Sequence, residues 1–180
     1  MIISYLIFAC NEHKELEKLL AKLTDFVQEP NEVMVILDDE NTTDEVMDVV
    51  KKYENEIGCY AHKLNGDFAS HKNFGNLCCK GDWIFQIDAD EIPNDSLLMA
   101  LHPMLELNPG AELIYIPRIN TVDGLTEAGM SASKFGMTNI FRSGDGKSMK
   151  MAGLTFRITK HVFIKIILQK FSGKMRFTRL

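Results

Sequence analysis

The stretch GDWIFQIDADE at residues 81–91 decides the fold of this chain. Residues 83–87 form a largely apolar run, typical of a strand buried on both faces of a parallel sheet, and the run leads into Asp88 and Asp90. Ligands of open α/β sheets bind at the carboxyl ends of the strands. Side chains two residues apart on a strand point the same way, so both carboxylates can share one divalent cation with an anionic ligand. Such oxygen-rich surroundings suit Mg²⁺ or Mn²⁺.

Strand-like and helix-like segments alternate outward from this stretch. Helices are predicted after a cap at Asn11, after a cap within residues 42–44, over residues 68–79 with Gly81 at the end, and from Asn94 or Asp95 to residue 105. Strands are predicted from short apolar runs at residues 2–9, 32–37, 59–64, 83–87 and 112–117. A chain of 180 residues with this alternation predicts an α/β fold, a parallel sheet flanked by helices.

Composition and charge argue against several classes of protein. A net charge of −5 gives no sign of nucleic-acid binding. The four cysteines lack C-x-x-C or zinc-type spacing, which predicts reduced thiols in a cytoplasmic protein, and the five histidines lack metal-ligand spacing. The apolar start has no basic leader or cleavage site, and no run reaches the ~18 apolar residues of a membrane span.

Charge is distributed unevenly along the chain. No acidic residue follows Asp145, whereas nine lysines and arginines do, so this end carries +9 and the preceding residues −14. Residues 155–180 are consistent with a basic amphipathic helix that makes weak contact with anionic lipid at the inner membrane surface. A helix covered by a partner, or one that packs poorly, is an equal alternative. The apolar face of the predicted helix would consist of Ile158, Val162, Phe163, Ile166 and Ile167.

Four motifs, each at a predicted strand end, resemble glycosyltransferase family 2. The closest similarity is to its lipopolysaccharide-core glucosyltransferase-like branch, and it covers about residues 1–120. The D-x-D pattern is weak by itself, and the order and spacing of all four motifs make the resemblance strong. They are Asn11-Glu12, Asp39 with Thr42-Thr43-Asp44, DFASHKNFG at residues 67–75, and residues 81–91.

The resemblance implies a Rossmann-like GT-A fold that binds a nucleotide-sugar, with a UDP-sugar expected, and Mn²⁺ or Mg²⁺. It implies that Asp39 contacts the nucleotide base and that Lys72 lies near the base and diphosphate. Asp88 would contact the ribose and the metal, and Asp90 would bind the metal. Glu12 would support the nucleotide pocket. The implied reaction is metal-dependent, inverting transfer of the sugar to a saccharide or surface acceptor.

The chemistry of sugar transfer independently requires groups of the same kind. Negative charge builds on the departing nucleoside diphosphate, and a metal ion and Lys72 would neutralise it. An inverting transferase also needs a general base, which the sequence does not identify. Structural alternatives remain open: Asp88 and Asp90 as turn or cap residues, Asp39 as a turn residue, Lys72 as a solvated helix residue. Glu12 has its own alternative, an acid favoured by the dipole of the first helical turn.

The last third of the chain departs from the family pattern. Residues 1–124 are expected to form the nucleotide-sugar-binding domain, and residues 125–180 an atypical, incomplete or poorly ordered basic segment without the family's Val-His-Glu pattern. One hypothesis is a frameshifted end, because a neighbouring reading frame can encode a Val-His-Glu sequence there. Two other functions follow: a catalytically incomplete domain that binds nucleotide and metal, or a nucleotidyltransferase. The latter is disfavoured, since no glycine-rich basic loop follows the first strand.

Overall fold

The computed structural model describes residues 1–117 and 164–170. Strands and helices alternate through the first of these ranges, as the apolar runs and helical periodicity predict. The elements are β1 (Ile3–Ala9), α1 (His13–Phe26), β2 (Glu32–Asp38), α2 (Asp44–Lys52), β3 (Gly58–His62), α3 (Phe68–Cys78), β4 (Trp83–Asp88), α4 (Asp95–Leu107), β5 (Leu113–Pro117) and β6 (Ile164–Lys170).

The strands form one sheet in the order β3-β2-β1-β4-β6-β5. Strands β3, β2, β1 and β4 are parallel, and β6 pairs with β4 in the antiparallel direction. Phe8 of β1 lies opposite Ile36 of β2 and Asp88 of β4, so these strands end at one edge of the sheet. The predicted parallel α/β sheet with flanking helices is therefore confirmed.

The core lies between the sheet and the helices packed on it. The strands β1, β2 and β4 are buried almost throughout, as expected for a sheet covered on both faces. Three of the helices bury aliphatic side chains at helical spacing, which removes their apolar stripes from water. These side chains are Leu16, Leu19, Leu20 and Leu23 of α1, Val46, Val49 and Val50 of α2, and Leu98, Leu101, Met104 and Leu105 of α4.

The starts of the helices agree only partly with the predicted caps. Asn94 caps α4 by accepting a hydrogen bond from the backbone N–H of Leu97 at 2.8 Å. In α1 the cap position is occupied by Glu12 rather than Asn11, and in α2 by Thr43, and neither side chain makes a capping hydrogen bond. Gly81 does not end α3, whose cap is Cys79 in extended conformation. Gly81 is required for another reason, which is its close approach to Ser4.

Strand β6 corrects the helix predicted within residues 155–180. Its backbone pairs with β4 from Trp83 opposite Lys170 to Gln86 opposite Ile167. The segment IKIILQK contains several β-branched residues, which favour a pleated strand over a helix. Ile158, Val162 and Phe163 of the predicted helical face lie outside the described residues.

The contacts group the chain into two units, Met1–Ile114 with Ile167–Leu180, and Tyr115–Ile166. The first unit contains the parallel strands β1 to β4 and the helices α1 to α4. The described part of the second unit is limited to residues 115–117 and 164–166. Among the described helices, none combines the length and the apolar character needed to cross a membrane.

Candidate functional site

Lys72 and Asp88 meet at the carboxyl edge of the sheet. Asp88 is the last residue of β4, and Lys72 lies on α3. Lys72 Nζ is 3.9 Å from Asp88 Oδ1, and the two side chains are 30% and 24% exposed. The same Nζ lies 5.6 Å from the centre of the Phe8 ring at the end of β1. A cation and a carboxylate that both remain open to solvent are thus held together where a ligand of this fold binds.

A tight turn follows Asp88 and separates the three acids of the D-x-D-E sequence. Glu91 is buried, with 5% of its surface exposed. Its Oε2 accepts a hydrogen bond from the Asp88 N–H at 3.1 Å, and its own N–H donates to the Asp88 carbonyl at 2.9 Å. Ala89 is buried whereas Asp90 is exposed. Glu91 therefore holds the turn, and the turn presents the Asp90 carboxylate to solvent.

Asp88 and Asp90 fit a divalent cation that a nucleotide helps to bind. The described residues contain no group of three or more His, Cys, Asp or Glu side chains placed to hold a metal ion. Mg²⁺ and similar cations are commonly bound through one or two carboxylates, with phosphate oxygens and water completing the shell. These two carboxylates suit a cation whose other ligands are diphosphate oxygens and water. They are too few for a metal site formed by protein side chains alone.

The adjacent acids at the end of β2 have different surroundings. Asp38 is buried, and its carboxylate accepts hydrogen bonds from Asn41 Nδ2 at 2.6 Å and from the N–H groups of Leu64 and Glu40 at 3.2 and 3.3 Å. The bond from Asn41 is the main cause that lowers the pKa of Asp38. Asp39 is exposed, and its backbone N–H donates to the His62 carbonyl at 3.4 Å.

These contacts distinguish the exposed Asp39, the predicted base-binding residue, from a buried neighbour with a structural role, Asp38. Asp39 lies at the carboxyl edge with its side chain open to solvent, whereas Asp38 ties the loop after β2 to the loop after β3. Sequence reasoning missed Asp38. The signal was present, because successive side chains of a strand point to opposite faces and an acidic pair at a strand end divides into one inner and one outer residue.

Glu12 makes local contacts with the backbone at the end of β1. Its Oε2 accepts hydrogen bonds from the N–H groups of Cys10 and Asn11, both at 3.0 Å. Cys10 Sγ donates to the Asn41 carbonyl at 3.3 Å, which joins this turn to the loop after β2. Burial, Asp38 and Glu12 all raise the pKa of the Cys10 thiol, so it is poorly suited to act as a nucleophile. Glu12 therefore shapes the edge of the site through the backbone.

Two histidines lie beside these acids, and sequence reasoning assigned them no role. His71 of α3 is buried with 6% of its surface exposed, and its Nδ1 lies 3.3 Å from Nδ1 of His62, the last residue of β3. The His62 ring stacks on Phe74 at 4.4 Å between centroids, and the His71 ring lies 5.5 Å from Phe8. Chemically, the edge thus combines the accessible carboxylates of Asp39, Asp88 and Asp90 with the Lys72 amine. Beside them lies an imidazole pair in which His71 is buried and His62 half-buried.

Comparison with known proteins gives both a family and a fold. A model of glycosyl transferase family 2 matches residues 4–164. Among solved structures, S. aureus TarS 1–349 in complex with UDP-GlcNAc is 23% identical with a TM-score of 0.57, over 70% of this chain and 36% of that chain. The same protein in complex with UDP gives 23% identity and 0.57, over 70% and 38%. A structure of S. aureus TarS gives 21% and 0.53, over 70% and 23%.

The chain therefore spans less than two fifths of the length of each of these TarS structures. Comparison with curated proteins finds no match. The identities to TarS are low, so the structural similarity supports the GT-A-like fold and not a shared substrate. The family match extends past residue 120, where the resemblance seen in the sequence ends, and covers most of the chain. This chain belongs to glycosyl transferase family 2.

Proposed function

We propose that this chain binds a nucleotide-sugar, with a UDP-sugar as the expected donor, and transfers the sugar to a saccharide or surface acceptor. The observation that carries the proposal is the pairing of Lys72 Nζ with Asp88 Oδ1, 3.9 Å apart at the carboxyl edge of a family 2 sheet. A bound diphosphate is stabilised by nearby positive charge. A carboxylate close to the diphosphate would repel it unless a cation binds to both. Lys72 and a metal ion on Asp88 and Asp90 satisfy both needs.

Each residue of the edge has a role in this proposal. Asp88 and Asp90 would hold Mn²⁺ or Mg²⁺, which when bound neutralises charge on the departing diphosphate. Lys72 would pair with a diphosphate oxygen, and Asp39 would accept hydrogen bonds from the base. Glu12 would keep the turn after β1 in place. The proposal also includes transfer with inversion at the anomeric carbon of the sugar. It further includes similarity to the lipopolysaccharide-core glucosyltransferase-like branch of the family.

The direct test is hydrolysis and transfer of a panel of sugar nucleotides, with Mn²⁺, with Mg²⁺ and with a chelator. We expect one UDP-sugar to be consumed, and consumption to cease when the chelator removes the metal. The matched variants are Lys72→Ala within the site and Lys80→Ala, an exposed lysine beyond the end of α3. No consumption of any sugar nucleotide by the parent chain would contradict the proposal.

A second candidate function is donor binding with little or no sugar transfer. Glu91, the acid that follows the D-x-D pattern, is buried and accepts a hydrogen bond from the Asp88 N–H, which leaves it poorly placed as a base. Glu127 and Asp145 lie outside the described residues. A missing general base costs ~10²–10⁴-fold in rate. Tight UDP binding together with transfer near background across an acceptor screen would favour this function.

The basic residues after Asp145 support a further part of the proposal, weak contact with anionic lipid at the cytoplasmic face of the inner membrane. The contact would be electrostatic, since the described part of this segment is a strand and not an amphipathic helix. Co-sedimentation with vesicles that contain anionic lipid should show binding that disappears at high salt. Equal recovery with neutral vesicles would contradict it.

A further inference from the structure

Helix α3 is buried in a different way from the other described helices. Helices α1, α2 and α4 are anchored by leucine, valine or methionine, whereas the buried residues of α3 are His71 and Gly75. A buried imidazole needs a hydrogen-bond partner to offset the loss of water, and an aliphatic side chain does not. A buried histidine at this position therefore lowers the stability of the fold unless its hydrogen bond is made.

The partner of His71 is His62, and their bond joins α3 to the end of β3. The two Nδ1 atoms are 3.3 Å apart. One Nδ1 must carry a proton and donate, and the other must be unprotonated and accept, so the bond exists only while one of these two nitrogens is free of a proton. Stacking of His62 on Phe74, one turn further along α3, holds the same helix from a second point.

The groups that influence the pKa of His71 lie on its own helix and on neighbouring strands. His62 on β3 and Lys72 on α3 disfavour its cationic form, and Asp38 at the end of β2 favours it. Burial is the largest influence, and the pKa of His71 is lowered. The imidazole is thus kept neutral near neutral pH, and a neutral imidazole can either donate or accept in the bond to His62.

His71 and Lys72 also share one surface, the ring of Phe8. The His71 ring lies 5.5 Å from the Phe8 ring, and Lys72 Nζ lies 5.6 Å from its centre. Gly75 also packs so closely on this ring that a Cβ there would lie 2.8 Å from Phe8 Cζ. The position of α3 over Phe8 therefore sets where the Lys72 amine lies relative to Asp88.

We propose that His62 and His71 are positioning residues whose mutual hydrogen bond fixes the start of α3 and holds Lys72 beside Asp88 for donor binding. This inference rests on the proposed function, because it assigns the pair to the donor diphosphate site. Neither imidazole touches the donor in this account. The two histidines affect donor affinity only through the position of the Lys72 amine. A purely stabilising role would not depend on Lys72.

The test is a double-mutant cycle on UDP affinity, measured by calorimetry at pH 7.5 with Mn²⁺ present. Lys72→Ala should weaken UDP by about 10-fold or more, the loss expected for a hydrogen bond to a charged group. His71→Leu should weaken UDP by roughly 3–10-fold in the parent chain. In the Lys72→Ala background the same change should cost less than about 2-fold, because the amine that it positions is gone.

Three variants complete the design. His62→Leu removes the same bond from β3 and should reproduce the His71→Leu pattern. His71→Gln retains a donor and an acceptor, so it should recover part of the affinity and replaces His71→Leu if that variant does not fold. His102→Gln, on the half-buried histidine of α4, should leave UDP affinity unchanged.

The outcomes separate this inference from the proposed function. No UDP binding by the parent chain would overturn the proposed function. Binding by the parent, weakened by Lys72→Ala but unchanged by the His62 and His71 variants, would overturn the positioning role and leave the function standing. Losses that add in full across the Lys72 and His71 changes would also overturn it, since they would mean that the histidines act independently of the amine.

Discussion

At the scale of single residues, burial separates the acids that hold the site together from those that are open to a ligand. Asp38 and Glu91 are buried and bonded to backbone or amide groups, whereas Asp39 and Asp90 are exposed. The sequence presents both kinds as neighbouring acids, and it could predict that ligands bind at these strand ends. It could not say which acid of each group faces inwards, because that depends on the turn after the strand.

Asp39→Ala should weaken binding of uridine nucleotides by about 1–3 kcal/mol, the cost of losing a hydrogen bond between the base and a charged group. It should also reduce discrimination between nucleobases, with little change in the free energy of unfolding, because the side chain is exposed. Calorimetry with UDP, GDP and ADP measures both effects.

Asp38→Ala is the matched control for Asp39→Ala. It removes three hydrogen bonds from a buried carboxylate and should lower the free energy of unfolding by about 2 kcal/mol or more. Unchanged UDP affinity and unchanged base preference in Asp39→Ala would return Asp39 to the role of a turn residue.

The lowered pKa of His71 predicts how stability depends on pH. Between the folded and unfolded pKa values the unfolded chain binds more protons, so the free energy of unfolding should fall as pH drops below ~6.5, the ordinary value for histidine. Above that pH the contribution is fully present. His71→Gln should reduce this acid-side loss in thermal or urea unfolding, and His102→Gln should not. Identical pH profiles for the parent and His71→Gln would contradict the assignment.

At the scale of elements, the connection between α3 and β4 shows a close approach that periodicity does not reveal. The Gly81 N–H donates to Ser4 Oγ at 2.8 Å, and Ser4 Oγ donates to Glu32 Oε1 at 2.6 Å. The same Glu32 oxygen accepts from the Lys80 N–H at 2.6 Å. This chain of bonds fixes where β4 starts beside β1 and therefore supports the register that brings Asp88 beside Phe8.

Gly81→Ala should lower the free energy of unfolding by about 1–3 kcal/mol, as overpacking at a tight site does. A Cβ at Gly81 would lie 2.6 Å from Ser4 Oγ and 2.7 Å from the Ser4 backbone nitrogen, and the backbone atom cannot move aside cheaply. The control is Gly110→Ala, where an added Cβ would meet no atom of the described residues within 4 Å apart from its chain neighbours, and a change within about 0.5 kcal/mol is expected. Equal stability of the two variants in urea unfolding would refute this explanation of Gly81.

At the scale of the whole molecule, the parallel sheet could be predicted because the sequence pattern that indicates it lies within single short segments. The strands β1, β2 and β4 are short apolar runs, and the helices α1, α2 and α4 each carry an apolar stripe. Strand β6 could not be predicted in the same way, because it pairs with β4 across a long separation in sequence. The His62–His71 bond was missed for a different reason, since no spacing rule connects the end of β3 to α3.

The central claim is a donor site in which Asp88 and Asp90 bind a divalent cation together with a nucleoside diphosphate. The most direct measurement is calorimetry of UDP binding with and without Mn²⁺, on the parent chain, on Asp90→Ala and on Asp48→Ala, an exposed acid of α2. We predict that Mn²⁺ strengthens UDP binding to the parent and to Asp48→Ala, and that Asp90→Ala loses most of this enhancement while keeping its fold. Equal UDP affinity of the parent with and without metal would contradict the claim.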